Sequence, residues 1–454
     1  MINALDLTFI ILYLIFLIGV GLWQLRKGER SVDEYLVMGR RLALPGFVAS
    51  LVSTWYGGIL GVGEYSYKYG LSNWVVFGLP YYLGAAAFAL FLAKKARRSQ
   101  LYTIPDQLDK VYGRGASLAG ALLVFITTIP AAYILQIGFL AESVLGIPLA
   151  YGVIGGAFFS VIYVMTGGLR SDVITDRAQF ILMFSGFAVM LVYLVSNYGG
   201  LGFLNANLPE NHFSFSGGRP FTYILVWYFI ALGTLVDPAF FQRCFAAKSE
   251  KVAQRGIFIA IGFWALFDFM TTSTGLYARA LLPNLTDPAT AYPMLAVKVL
   301  PGFLRSLFIL GLFATVMSTV DSFTLVAGQT IGKDFIHRIW NKDATKMTQL
   351  GIVLAGLFAV LVALFKRSIV DIWYDLGSIS TAALLIPLAS SFSERWRMRP
   401  HFALLSIIVG GLTVIAWMFF GYLVGESRFY GLDAIYPGLA ISVGIFLFSK
   451  FHNK

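Results

Sequence analysis

Charge is scarce in this chain: Asp, Glu, Lys and Arg make up 13% of its 454 residues, about half the share of a soluble globular domain. Cysteine is scarcer still. Cys244 is alone and is expected in a loop on the inner side, which excludes an intrachain disulfide and a cysteine metal site. The four histidines, His212, His337, His401 and His452, all fall in predicted loops or at helix ends. That placement argues against haem ligation and against a histidine proton relay inside a bundle. The nearest approach to a phosphate loop is Gly328-Gln329-Thr330-Ile331-Gly332-Lys333-Asp334. Its glycine spacing is wrong, and it ends in Asp where Mg2+ needs Ser or Thr, so ATP is not the energy source. No zinc-protease helix and no nucleophile elbow occur, and neither an enzyme nor an organic cofactor is expected.

Apolar residues are abundant, at 58% of the chain, with a mean hydropathy of +0.76. Runs long enough to cross roughly 30 Å of hydrocarbon lie at 7–25, 43–67, 74–93, 116–145, 148–167, 177–198, 221–236, 256–282, 302–331, 350–365, 369–392, 402–424 and 435–451. They predict an all-α polytopic membrane protein of about thirteen transmembrane helices in a single domain, 1–454. With the amino terminus outside, the basic clusters around Arg26, Lys27 and Arg30, Lys94 to Arg98, Arg243 to Arg255, Lys333 to Lys346 and Arg395 to Arg399 all fall on the cytoplasmic face. The carboxyl terminus, with Lys454, falls there too. The net charge of +11 is therefore a topology signal, and no nucleic-acid partner is implied. The first span has no basic stretch ahead of it and is expected to insert uncleaved in the cell membrane, with the lipid bilayer as its surroundings.

Two segments stand out against this apolar background. The first is Thr315-Val316-Met317-Ser318-Thr319-Val320-Asp321-Ser322, inside the 302–331 run. Hydroxyls at bilayer depth need partners, so they are either interhelical hydrogen-bond glue or ligands for a small hard cation such as Na+. The second is Ser53-Thr54-Trp55-Tyr56-Gly57-Gly58, followed by Gly61, Gly63 and Glu64. Each glycine costs about 1 kcal/mol of helix stability relative to alanine, and the cluster predicts local unwinding near 53–58. An unwound turn frees carbonyls at the negative end of a half-helix, where cations bind; the alternative is close packing of small residues.

These segments, together with Tyr163-Val164-Met165-Thr166-Gly167-Gly168-Leu169, Asp237-Pro238-Ala239-Phe240-Phe241-Gln242-Arg243 and Thr103-Ile104-Pro105-Asp106, resemble the sodium:solute symporter family. The resemblance implies a LeuT-like fold: a leading helix at 7–25, two inverted five-helix repeats at 44–198 and 221–392, and two further helices at 402–451. A counterpart in the second repeat of the break at 53–58 is expected near Gly233-Thr234, where the local signal is faint. It also implies a sodium site with Ser318 and Thr319 as side-chain ligands and backbone carbonyls from Ser53, Tyr56 and Thr315. Asp176 matches a carboxylate on the inner path of sodium, although at the expected start of a helix it also reads as a cap. Asp172 either adds a waypoint or pairs with Arg170 or Arg177.

For the solute, the core-facing spans nominate Gly61, Glu64, Gln136, Trp227, Tyr228, Asp268, Trp373 and Tyr374. Glu64 has a competing reading as an i,i+4 pair with Lys68, and Asp268 lies mid-span without an evident partner. No arginine occurs between 116 and 145, unlike the family's sialic-acid transporters, and no acid between 74 and 93, unlike its sugar transporters. The expected function is Na+-coupled import of a small organic solute, an amino acid such as proline or a small carboxylate, by a protein that works as a monomer. The rival readings are a proton-coupled carrier of the same fold and a membrane solute sensor that moves nothing.

Overall fold

The computed structural model describes residues 4–26, 31–366, 368–425 and 429–451; Lys27, Arg30, His452 and Lys454 lie outside them. Hydrocarbon offers no water to satisfy backbone N–H and C=O groups, so each segment must satisfy its own, and a helix does so. Among the described residues eleven helices are long and apolar enough to cross a bilayer, and the regular elements are all helical. An isolated parallel bridge joins Leu42 to Ala247. The most hydrophobic stretch of Leu44–Tyr69 is 94% buried and that of Gly302–Trp340 is 78% buried, against 33% for Ala4–Gln24 and Pro400–Leu423. The first two therefore form the centre, and the others face outward.

The first central helix is broken where its glycines fall. Leu44–Trp55 gives way to a 3₁₀ turn, Tyr56–Gly58, and the helix resumes over Ile59–Tyr69. Gly57 is needed for close approach: a Cβ there would lie 2.0 Å from Thr319 Oγ1. The break leaves the Leu60 N–H without an intrahelical carbonyl, and Gln136 Oε1 accepts it at 2.9 Å.

A second break has the same form. Phe221–Ala231 passes through a 3₁₀ stretch, Leu232–Val236, and an extended Asp237 into Pro238–Ala246. Asp237 caps the new half-helix, with Oδ1 accepting from the N–H groups of Ala239 at 2.8 Å and Phe240 at 3.1 Å. Cys244 sits inside this half-helix and is buried, so its expected loop position is corrected.

The 50-residue helical run Leu149–Tyr198 would be about 75 Å long if straight, far more than one crossing. It folds into two arms at Gly168, whose φ of 57° and ψ of −159° suit glycine alone. The run expected at 116–145 likewise divides into Arg114–Thr128 and Ala131–Leu145 around Ile129 and Pro130. The leading helix Ala4–Leu25 is tied to Gly302–Gln329 through Asp6, which pairs with Arg305 at 2.6 Å and accepts from Ser306 Oγ at 2.5 Å.

Candidate ion and solute sites

Ser318 and Thr319 are consecutive on Gly302–Gln329 and fully buried. Neighbours on a helix point about 100° apart, so the two hydroxyls serve different partners. Thr319 Oγ1 donates to the Thr54 carbonyl at 2.6 Å and lies 3.5 Å from that of Ser53, at the end of the broken half-helix. Ser318 Oγ donates to Asp176 Oδ1 at 2.5 Å. Asp176 Oδ2 accepts from Ser50 Oγ at 2.5 Å. The hydroxyls of Ser53, Tyr56 and Thr315 turn elsewhere, to the carbonyls of Ala49, Trp264 and Gly311. Their contribution to a cation would thus come from backbone oxygen, a hard ligand suited to Na+.

Asp176 is well inside the second arm of Leu149–Tyr198, fully buried, and not a helix cap. Its carboxylate joins the broken half-helix to the hydroxyl helix. Asp172 pairs with neither Arg170 nor Arg177. Its partner is Arg243, at 3.0 Å, which also lies 3.6 Å from Asp176. Arg243 is completely buried and donates to Ser50 Oγ at 3.1 Å, Thr54 Oγ1 at 2.9 Å, Ser322 Oγ at 2.6 Å and Gln242 Oε1 at 2.7 Å. A buried guanidinium needs this many partners to offset lost hydration. Two carboxylates against one guanidinium leave the cluster with a negative excess when both acids are ionised.

Between the two breaks lies a cavity of about 210 Å³, walled by Trp55, Phe77, Tyr81, Tyr133, Phe323 and Trp373, with Thr54, Thr234, Asp237 and Asp268 adding polar atoms. Of the nominated solute residues, Asp268 and Trp373 line it. Asp268 is not alone, since Tyr82 donates its hydroxyl to Oδ2. The others serve elsewhere. Gly61 packs against the Trp373 ring, Gln136 holds the broken helix, and Glu64 pairs with Lys68 at 2.5 Å. Trp227 is buried beside Phe77, Tyr374 donates to Asp433 at 2.5 Å, and Tyr228 is outside the lining. Asp237 was legible as Asp-Pro, a cap followed by proline in the first helical turn; the cavity tyrosines carried no such signal.

Comparison with known proteins gives this architecture a family. Residues 35–383, most of the chain, match the sodium:solute symporter family. The chain belongs to that family. The Escherichia coli (strain K12) sodium/pantothenate symporter is 28% identical over 96% of this chain and 94% of its own. A Staphylococcus aureus (strain JH9) sodium/proline symporter is 25% identical, covering 98% and 92%.

Among solved structures, a Na+-coupled sialic acid symporter in a substrate-bound outward-open state superposes with a TM-score of 0.80. Identity is 16%, covering 98% of this chain and 96% of that one. A nucleobase-cation-symport-1 family transporter gives 0.60 at 12% identity, covering 92% and 96%. The fold is accordingly the LeuT-like one, and this sodium:solute symporter family member is a multi-pass membrane transporter, not an enzyme.

Proposed function

We propose that the protein imports a small organic solute by Na+ symport, through alternating access in a LeuT-like bundle. The observation that carries this reading is the approach of the Thr319 hydroxyl to the Ser53 and Thr54 carbonyls, beside a Ser318 hydroxyl held on Asp176. Na+ would take oxygen from Ser318 and Thr319 and from the carbonyls of Ser53, Tyr56 and Thr315, with Asp176 receiving it on the inner path. Because these oxygens come from separate elements, the ion favours the arrangement that brings them together. Such differential affinity is what coupling requires.

The two inverted units are 44–198 and 221–392, each opening with a helix broken by a 3₁₀ stretch. The placement of the basic clusters supports a cell-membrane orientation with the amino terminus outside and the carboxyl terminus cytoplasmic, and the protein acts as a monomer. An amino acid such as proline or a small carboxylate lies within the solute range of this family reading, and the cavity chemistry narrows that range below.

The test is thermal unfolding of the purified full chain in NaCl and KCl at equal ionic strength. Na+ raises Tm and K+ does not, since a ligand bound only to the folded state stabilises it by mass action. Equal Tm values in the two salts remove the sodium site. A Tm that responds to pH in both salts alike favours the proton-coupled alternative.

A further inference from the structure

The cavity walls hold acids and no bases. Among the described residues Asp237 and Asp268 line it, and no lysine, arginine or histidine does. The guanidinium of Arg243 bonds to the lining residue Thr54 and is occupied by Asp172, Gln242, Ser50, Thr54 and Ser322. The start of a half-helix commonly receives anions. Here that position is filled by the chain's own carboxylate, because Asp237 Oδ1 already accepts from the Ala239 and Phe240 N–H groups.

A solute carboxylate would therefore enter a low-dielectric space lined by two carboxyl groups and by no basic side chain. A positive group meets the opposite conditions. Asp268 is 3% exposed, and a carboxylate so far from water gains from a cationic partner. Aromatic rings complete the enclosure. Trp55 and Tyr81 meet edge to face at 5.4 Å between centroids, Tyr133 and Phe323 at 5.2 Å, and Phe77 and Trp373 at 5.9 Å. Ring faces attract ammonium groups and accept an apolar body alike. The Thr234 hydroxyl, 2% exposed and without a hydrogen-bond partner, remains for one neutral polar atom of the solute.

We infer that the transported solute is a small organic cation, an amine or quaternary ammonium on a compact apolar body, with no free carboxylate. This rests on the symporter reading and narrows its substrate. The test uses three probes that share a five-membered ring and differ in charge: N,N-dimethylpyrrolidinium, proline and cyclopentanecarboxylate. Each is added to the purified full chain in NaCl, and Tm is followed against concentration. The cation raises Tm and the other two leave it within error. Stabilisation by proline or by cyclopentanecarboxylate equal to or above that of the cation, or no response to the cation, overturns the inference.

Asp268→Asn should weaken the cation's effect at least tenfold while the stabilisation by Na+ alone persists. If that variant does not fold, Asp237→Asn, which keeps a capping oxygen, carries the same expectation. Unchanged cation affinity in whichever variant is measured also overturns the inference. The NaCl against KCl difference without any probe reports separately on the symporter reading, so the two failures are told apart.

Discussion

Ser318 and Thr319 show how far a pair of residues can be read from sequence. Their hydroxyls at bilayer depth were a visible signal, because such groups must be satisfied and a dense set of them points to an ion or to helix contacts. Which partner each one takes was not visible, since Asp176 and Thr54 are 142 and 265 positions away. Arg243 was hidden for the same reason. Its basic charge reads as part of a cytoplasmic cluster, while its partner Asp172 lies 71 residues earlier. If both hydroxyls are ligands, removing either takes one oxygen from a shell that has few. Thr319→Ala or Ser318→Ala should each weaken Na+ activation about tenfold, ~1.4 kcal/mol, measured as the Na+ concentration that gives half of the thermal stabilisation. Two variants with wild-type Na+ dependence would return the pair to the role of helix contacts.

At the scale of the elements, the first break was legible and the second was faint, and composition explains the difference. Beside Tyr56 two glycines share one turn and Gly61 and Gly63 follow, whereas Leu232–Val236 holds only Gly233 and depends on Asp237-Pro238 to restart the helix. Gln136 belongs to this scale, although sequence reading assigned it to the solute. A glutamine in an apolar run signals a buried polar partner without saying whether that partner is a ligand or backbone, and here it is the Leu60 N–H at 2.9 Å. Gln136→Leu leaves that N–H unsatisfied in a buried position, a cost of about 1–3 kcal/mol. The expected result is a lower Tm with or without solute. Gln136→Glu, which keeps an acceptor oxygen, should recover part of the loss. A Gln136→Leu protein as stable as wild type would show that water or a shifted backbone replaces the amide.

For the whole molecule, a network of ion pairs links elements far apart in the chain. Asp106, on the helix Ile104–Tyr112, pairs with Lys333 at 2.5 Å and Arg338 at 2.6 Å. Lys333 also lies 3.2 Å from Asp334, whose Oδ1 accepts from Thr103 Oγ1 at 2.8 Å. The sequence marked Thr103 to Asp106 as a family segment and Lys333-Asp334 as the end of a stretch that only resembles a phosphate loop, and gave no reason for them to meet. Their meeting ties the segment before Arg114–Thr128 to the end of the hydroxyl helix. Burial pushes the Asp106 carboxyl up, yet the Lys333 ammonium and the Arg338 guanidinium outweigh it, and its pKa lies below the ordinary carboxylate value. A depressed folded-state pKa means that the unfolded chain takes up this proton first as pH falls. The stabilisation is then complete above the unfolded value of about 4 and fades as pH drops through the lower folded one. Unfolding followed from pH 8 to pH 3 should therefore show no contribution from Asp106 to the pH dependence above about pH 5 and a loss of stability on the acid side. Asp106→Asn should lower Tm at neutral pH and make the acid-side loss shallower, because the group that took up the proton is gone. An acid limb as steep in Asp106→Asn as in the wild type would assign that loss to other carboxylates and leave the network as packing alone.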